Sequence, residues 1–283
     1  MSGEDQMAKE LAVIVLHGMG DTKRNYDRHL KSEVRDRLGN ARWTRIAWKK
    51  VFYQSILQVN QERVMNDCIR DADIDWLKLR RFVLYGFSDA AAMESRPHKI
   101  NSVYQKIQQV ILDTVNDALV SLGDPRKPVI LIAHSLGCQV ISNYIWDAQQ
   151  SDVEAGVFRS DLPNPIGKTS AEDKFRRLKT LQALFTSGCN IPIFVAGRPK
   201  DRIKPIITNA RGWSFRWQNY YDPDDVLGWP LHPLCPAYKA AVAVDKDINV
   251  GGPLNSWTPM SHGSYWTDDD FLDPVEDTLR SLL

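Results

Sequence analysis

The sequence predicts an α/β fold with a mostly parallel sheet, on three observations. Short apolar runs such as LAVIVL and VILIA recur along the chain, helix-period segments separate them, and Gly, Pro and Asp mark most of the junctions. Strands separated by helices cross over in parallel, and a parallel sheet is covered on both faces.

Residues 11–16 (LAVIVL) form the first strand, and 24–38 carry apolar and charged residues at helical spacing after a turn containing Gly and Asp. A second strand is expected at 46–53, a helix at 55–70, and a short strand at 81–85 (RFVLY). Residues 101–122 form a long amphipathic helix that Gly123-Asp124-Pro125 ends. Residues 129–133 are the most apolar strand, followed by a helix over 137–147. Further strands are expected at 181–186, 215–221 and 243–250, with a closing helix at 273–283. Residues 151–179 fit no sheet element. They are polar, contain Gly and Pro, and end in AEDKFRRLK, so they are expected to be a cap or insertion within one domain spanning 1–283.

With 283 residues and 43% hydrophobic content the chain can bury a full core. Its 36 basic and 35 acidic side chains leave a net charge of +1, so no global field favours nucleic acid or an anionic membrane. Cys68, Cys138, Cys189 and Cys235 show no CxxC spacing, and the polar start MSGEDQMAKE is no secretory signal. The apolar run behind it is too short to span a bilayer. These features predict a soluble cytoplasmic protein with no integral membrane association. No HExxH motif or His/Cys cluster is present, so no metal or cofactor is expected.

Chemistry concentrates where strands end. Ala133-His134-Ser135-Leu136-Gly137 has the order of a nucleophile elbow, G-x-S-x-G, with alanine for the first glycine. The positions two before and two after the serine pack so tightly that only a very small side chain fits. The alternative for Ser135 is a helix N-cap. His17-Gly18-Met19-Gly20-Asp21, after the first strand, lacks the glycine pattern of a nucleotide site. In a serine hydrolase this loop supplies an oxyanion donor, the Met19 N–H, which complements that of Leu136.

Among the six histidines, His29 falls in a helix, His98 in a charged loop, His17 in the oxyanion loop and His134 on the elbow. His232, between prolines, is expected to pack or cap. His262, in a turn-rich loop before the last helix, is the expected base. The acid must fall between serine and histidine, within YDPDDVLG. Asp222 suits a turn, which leaves Asp224 or Asp225 to accept the imidazole N–H.

Taken in order, HGMGD, AHSLG, YDPDDVLG and SHGSYW resemble the α/β-hydrolase superfamily of serine esterases and lipases. The acid loop is also similar to the F-H-P-x-D-P-V-A-Y segment of intracellular DDHD-type phospholipases, which places Asp225 at that family's aspartate, with Val226 where the family has proline. Superfamily members carry two strands before the oxyanion strand, whereas here that strand starts near residue 11, so the sheet is expected to lack them. The resemblance implies a catalytic triad of Ser135, His262 and Asp225.

The expected activity is hydrolysis of a carboxylic ester or thioester through an acyl-enzyme on Ser135, with a small-molecule or lipid-like acyl substrate. The same residues would serve an acyltransferase, and a binding protein can retain a hydrolase scaffold without its chemistry. Trp229, Trp257 and Trp266 flank the acid and histidine loops, where they line a pocket or pack the core. Cys138 is expected to be a small buried hydrophobe. The 151–179 segment would act as a lid or a connector.

Overall fold

A computed structural model describes residues 9–19, 22–72, 75–94, 98–150, 154–210, 212–250 and 261–283. In it, β1 (Leu11–Leu16) leads through α1 (Arg28–Leu38) and the short α2 (Asn40–Trp43) to β2 (Ile46–Val51). Three helices follow, α3 (Gln54–Asp71), α4 (Leu77–Glu94) and α5 (Val103–Leu122), before β3 (Val129–His134) and α6 (Leu136–Gln149). The short α7 (Ala171–Arg176) precedes β4 (Leu181–Ser187) and α8 (Ile191–Val195). A small antiparallel pair, β5 (Asn209–Ala210) and β6 (Trp213–Ser214), leads into β7 (Arg216–Tyr221), α9 (Pro236–Ala241), β8 (Val242–Asp247) and finally α10 (Asp269–Leu282).

Six strands form one parallel sheet in the order β2-β1-β3-β4-β7-β8. With helices on both faces, this is an α/β fold built on an open parallel sheet. No strand precedes β1 among the described residues, so β2 is one edge of the sheet and β8 the other. The chain turns from β1 outward to β2, then returns to place β3 on the other side of β1. Reversals of this kind open a crevice at the carboxyl ends of the strands, where open α/β sheets bind ligands.

The two faces follow from the strand period of two. Ala12, Ile14 and Leu16 of β1, with Val129, Leu131 and Ala133 of β3, pack against Ile107, Ile111 and Val115 of α5 and against α6. Leu11, Val13, Val15, Ile130 and Ile132 face the other way, against Leu30 and Val34 of α1 and Phe271, Val275 and Leu279 of α10. Each fully buried Leu or Ile side chain contributes about 1.5–3 kcal/mol, so the central strands anchor both layers. Ser102 caps α5 by accepting the Gln105 N–H, and Gly123 at φ 69° closes it in the left-handed conformation that glycine adopts freely.

Four expectations are corrected. RFVLY is not a strand but part of α4, which runs on through helix-forming Ala-Ala-Ala-Met-Glu. Five residues, of which only Phe82, Val83 and Tyr85 are β-branched or aromatic, are too few to set a period, and the longer helical window outweighs them. The first helix, α1, begins at Arg28 rather than 24 because 24–27 form a turn that ends at Asp27. Strand β8 ends at Asp247, although the Ile248 N–H still donates to Tyr221. The last helix starts at Asp269, ahead of Pro274, because the Asp268 side chain caps the Asp270 N–H.

The described part of the 151–179 segment is fastened to the α5–α6 face. Val157, Phe158, Ile166 and Phe175 join the core there. Arg177, itself 4% exposed, donates to the carbonyls of Ala148, Ile166 and Gly167.

Candidate active site

The elbow is set by close packing where β1 and β3 end side by side. Ser135 has φ 53° and ψ −124°, a conformation that non-glycine residues seldom adopt and that marks a constrained turn. Its N–H donates to the Ser187 carbonyl at 2.9 Å, and its own carbonyl accepts from the Cys138 N–H at 3.0 Å. A Cβ on Gly137 would lie 2.5 Å from the His17 carbonyl oxygen and 3.1 Å from Leu16 Cβ, so only glycine fits there. Ala133, two residues before the serine, is fully buried. The Ser135 hydroxyl makes no capping bond to α6, so capping does not account for this serine.

The acid and histidine loops meet next to His134, the residue before Ser135. His262, in a single 3-10 turn at Ser261–Gly263, sits with Nδ1 2.7 Å from Asp225 Oδ2 across 37 residues of chain. Asp225 Oδ1 accepts the Leu227 N–H at 3.0 Å, and Oδ2 accepts a second donor, the Tyr265 hydroxyl, at 2.8 Å. Burial pushes the Asp225 carboxyl up, but the bonds from His262, Leu227 and Tyr265 outweigh burial and hold it below the ordinary carboxylate range. An ionised carboxylate only accepts, so His262 Nδ1 carries the proton and Nε2 presents a lone pair. That Nε2 and the Ser135 Oγ are both buried with no hydrogen-bond partner.

The neighbouring carboxylates are turned elsewhere. Asp224 is exposed. Asp222 is 1% exposed and accepts the backbone N–H groups of Asp224 and Val250, both at 2.8 Å, which ties the acid loop to the end of the β8 connection. Sequence reasoning missed both this staple and Tyr265. The signal for Tyr265 was its position three residues after His262 in SHGSYW.

His134 lies between the Ser135 turn and His262. Its ring centroid is 4.6 Å from that of His262, and Trp266 meets it edge-on at 5.6 Å. A Cβ on Gly188 would come within 2.9 Å of His262 Cε1 and 3.1 Å of His134 Cε1, so one glycine backbone walls both rings. Burial, then the electrostatic influence of the adjacent His262 ring, lowers His134 to about 3, so it is neutral at physiological pH.

The loop after β1 meets Ser135 itself. Gly18 closes on the serine so tightly that a Cβ there would be 2.6 Å from Ser135 Cβ and 3.1 Å from its Oγ. His17 braces this loop: Nδ1 donates to the Gly18 carbonyl at 2.7 Å, and the ring stacks on Tyr53 at 4.0 Å. Burial lowers His17 to about 4, which keeps it neutral. Met19 lies beneath α4, where a Cβ on Gly86 would approach its Sδ to 2.7 Å. Leu136, buried, is the first residue of α6.

The remaining histidines serve structure or solvent. His232 Nε2 donates to the Val242 carbonyl at 2.8 Å, His98 Nδ1 donates to that of Glu154 at 2.9 Å, and His29 is exposed on α1. Cys138 is fully buried, its thiol pushed well up by burial and by the neighbouring Cys189. Trp229 is 44% exposed, and Trp257 lies outside the described residues.

No family model matches the chain, and no curated protein matches its sequence. Among solved structures, a Lactobacillus plantarum WCFS1 protein described provisionally as a carboxylesterase aligns over 100% of this chain and 89% of its own. It does so at 13% identity with a TM-score of 0.46. No helix among the described residues is long and apolar enough to cross a membrane.

Proposed function

We propose that the protein is a serine hydrolase that cleaves a carboxylic ester or thioester of a small acyl substrate through an acyl-enzyme on Ser135. The observation that carries this reading is the His262–Asp225 hydrogen bond at the sheet edge where Ser135 occupies a constrained turn, with His262 Nε2 and Ser135 Oγ both buried and unpartnered.

Ser135 Oγ attacks the acyl carbonyl carbon while His262 Nε2 takes the hydroxyl proton. Asp225, ionised, fixes the tautomer of the ring and stabilises the imidazolium that forms. The carbonyl oxygen, now negative, accepts hydrogen bonds from the Met19 and Leu136 N–H groups. The tetrahedral species collapses as His262 returns its proton to the departing alcohol or thiol. Water, deprotonated by the same imidazole, then attacks the acyl-enzyme and releases the acid. Residues 1–283 would act as one hydrolase unit, with 151–179 as an insertion on it.

The test is a fluorophosphonate probe combined with a panel of p-nitrophenyl esters of increasing chain length and matching thioesters. Wild type should label and turn over at least one ester. Ser135→Ala should lose labelling and on the order of a million-fold in kcat, while exposed Ser32→Ala keeps both. A folded wild type that neither labels nor turns over any member of the panel would instead be a binding protein on a hydrolase scaffold.

A further inference from the structure

We propose that Tyr265 is a positioning residue of the Asp225–His262 pair, a second donor on the same carboxylate oxygen that receives the imidazole. Its consequence for turnover rests on the hydrolase reading above.

Three observations lead there. Asp225 Oδ2 stands 2.7 Å from His262 Nδ1 and 2.8 Å from the Tyr265 hydroxyl. A carboxylate oxygen can accept two such bonds, and with Oδ1 on the Leu227 N–H both oxygens are engaged, which leaves the carboxylate one orientation. The direction of the Tyr265 bond is also determined. Its oxygen accepts the Asp222 N–H at 2.9 Å, so the phenol proton cannot point there and goes to Asp225. Burial and the adjacent Asp225 push the phenol up, so it remains a donor across the working range.

Gly228 makes room for this arrangement. A Cβ there would lie 2.5 Å from Asp225 Oδ2, 2.8 Å from the Tyr265 oxygen and 3.0 Å from Gly188 Cα. The ring of Tyr265, fully buried, stands edge-on to His262 with centroids 6.5 Å apart. His262 and Tyr265 sit on consecutive single turns, Ser261–Gly263 and Tyr265–Thr267. Base and second donor are therefore carried by one stretch of chain and reach Asp225 together.

A second donor withdraws negative charge from the carboxylate. Asp225 then stays ionised to lower pH and moderates its hold on the imidazolium formed during proton transfer. A phenol that merely packs the core would supply neither effect, and that difference is measurable.

The experiment compares wild type, Tyr265→Phe and protein carrying 3-fluorotyrosine at 265, which keeps the shape and both hydrogen bonds while strengthening the donor. Two properties are measured: the pH dependence of kcat/KM on the best ester of the panel, and the Asp225 carboxyl titration by 13C NMR, which needs no substrate. Tyr265→Phe should lower kcat by about tenfold with KM nearly unchanged, the loss expected for one hydrogen bond to a charged group. Its acid limb and its Asp225 titration should both move to higher pH, and fluorotyrosine should move both to lower pH. An Asp225 titration that stays put in both variants overturns the proposal, even if Tyr265→Phe melts earlier. A wild type without turnover defeats the hydrolase reading alone, since the NMR titration still decides the Tyr265 bond.

Discussion

Asp225, His262 and Tyr265 hold one another through hydrogen bonds of 2.7 and 2.8 Å, whereas the loop carrying Met19 is held against Ser135 by backbone contact at Gly18. Both flanks use hydrogen bonds and close glycine contacts, but different ones are decisive: side-chain hydrogen bonds join Asp225 to His262, while close approach at Gly18 sets how near the Met19 loop comes to the serine. A hydrogen-bonded flank is graded, because losing one donor leaves the others and shifts charge by a fraction. A flank built on glycine contacts is abrupt: a Cβ placed 2.6 Å from another Cβ has no flexible end to move, and the backbone must give way. Where the listener to such a contact is flexible, as Met19 Sδ is at Gly86, the same intrusion is absorbed.

The comparison breaks most visibly at Asp225. Asp225→Asn presents an amide N–H to His262 Nδ1 and forces the opposite tautomer, which removes the lone pair from Nε2. Steady-state kinetics should show kcat down by roughly ten-thousand-fold with the melting temperature little changed. A loss within tenfold would mean that Asp225 does not orient the base.

Gly18→Ala and Gly86→Ala sharpen the contrast on the other flank. Gly18→Ala should cost about a hundred-fold in kcat/KM, the loss expected when a reacting group is displaced by about 1 Å. Gly86→Ala, which meets only the end of the Met19 side chain, should stay within about threefold, since Met adapts readily. Equal losses in the two variants would erase the distinction drawn here.

The smallest effect concerns stability against pH. His17 and His134 are buried and neutral, lowered from 6.5 to about 4 and about 3. The unfolded chain binds protons at these rings that the folded chain refuses, so stability present above about 6.5 is lost as pH falls toward the folded values. Each ring should account for about 2 kcal/mol between pH 7 and 5. Urea unfolding of His17→Asn should show a correspondingly flatter dependence than wild type, and a profile as steep as wild type would exclude His17 as a source.

Much of the sheet was legible because strand patterning is local. LAVIVL and VILIA are apolar on both faces, as buried parallel strands must be, and Gly123 announces the end of α5. RFVLY reads as a strand but is helical, because a five-residue apolar and aromatic run carries no period of its own. At the site, the small residues around Ser135 are local as well, since the elbow's crowding arises within a few residues and one adjacent strand. The Asp225–His262 contact spans 37 residues, and nothing near Asp225 distinguishes it mechanically from Asp224. The Tyr265 bond was hidden because a buried phenol needs only some acceptor, and which one depends on how two loops meet.

By itself the sequence determined the α/β class, the strand and helix faces, and the small-residue turn that presents Ser135, all of which follow from periodicity and short-range sterics. The sequence favours Asp225 only through a resemblance of its acid loop; the tertiary structure sets Asp225 against His262 with Asp224 facing solvent, and it alone decided that Tyr265 shares the same carboxylate oxygen and that α4 covers Met19. The reason is distance along the chain. These contacts join loops whose meeting is set by the order of strands in the sheet, which no local stretch of residues encodes.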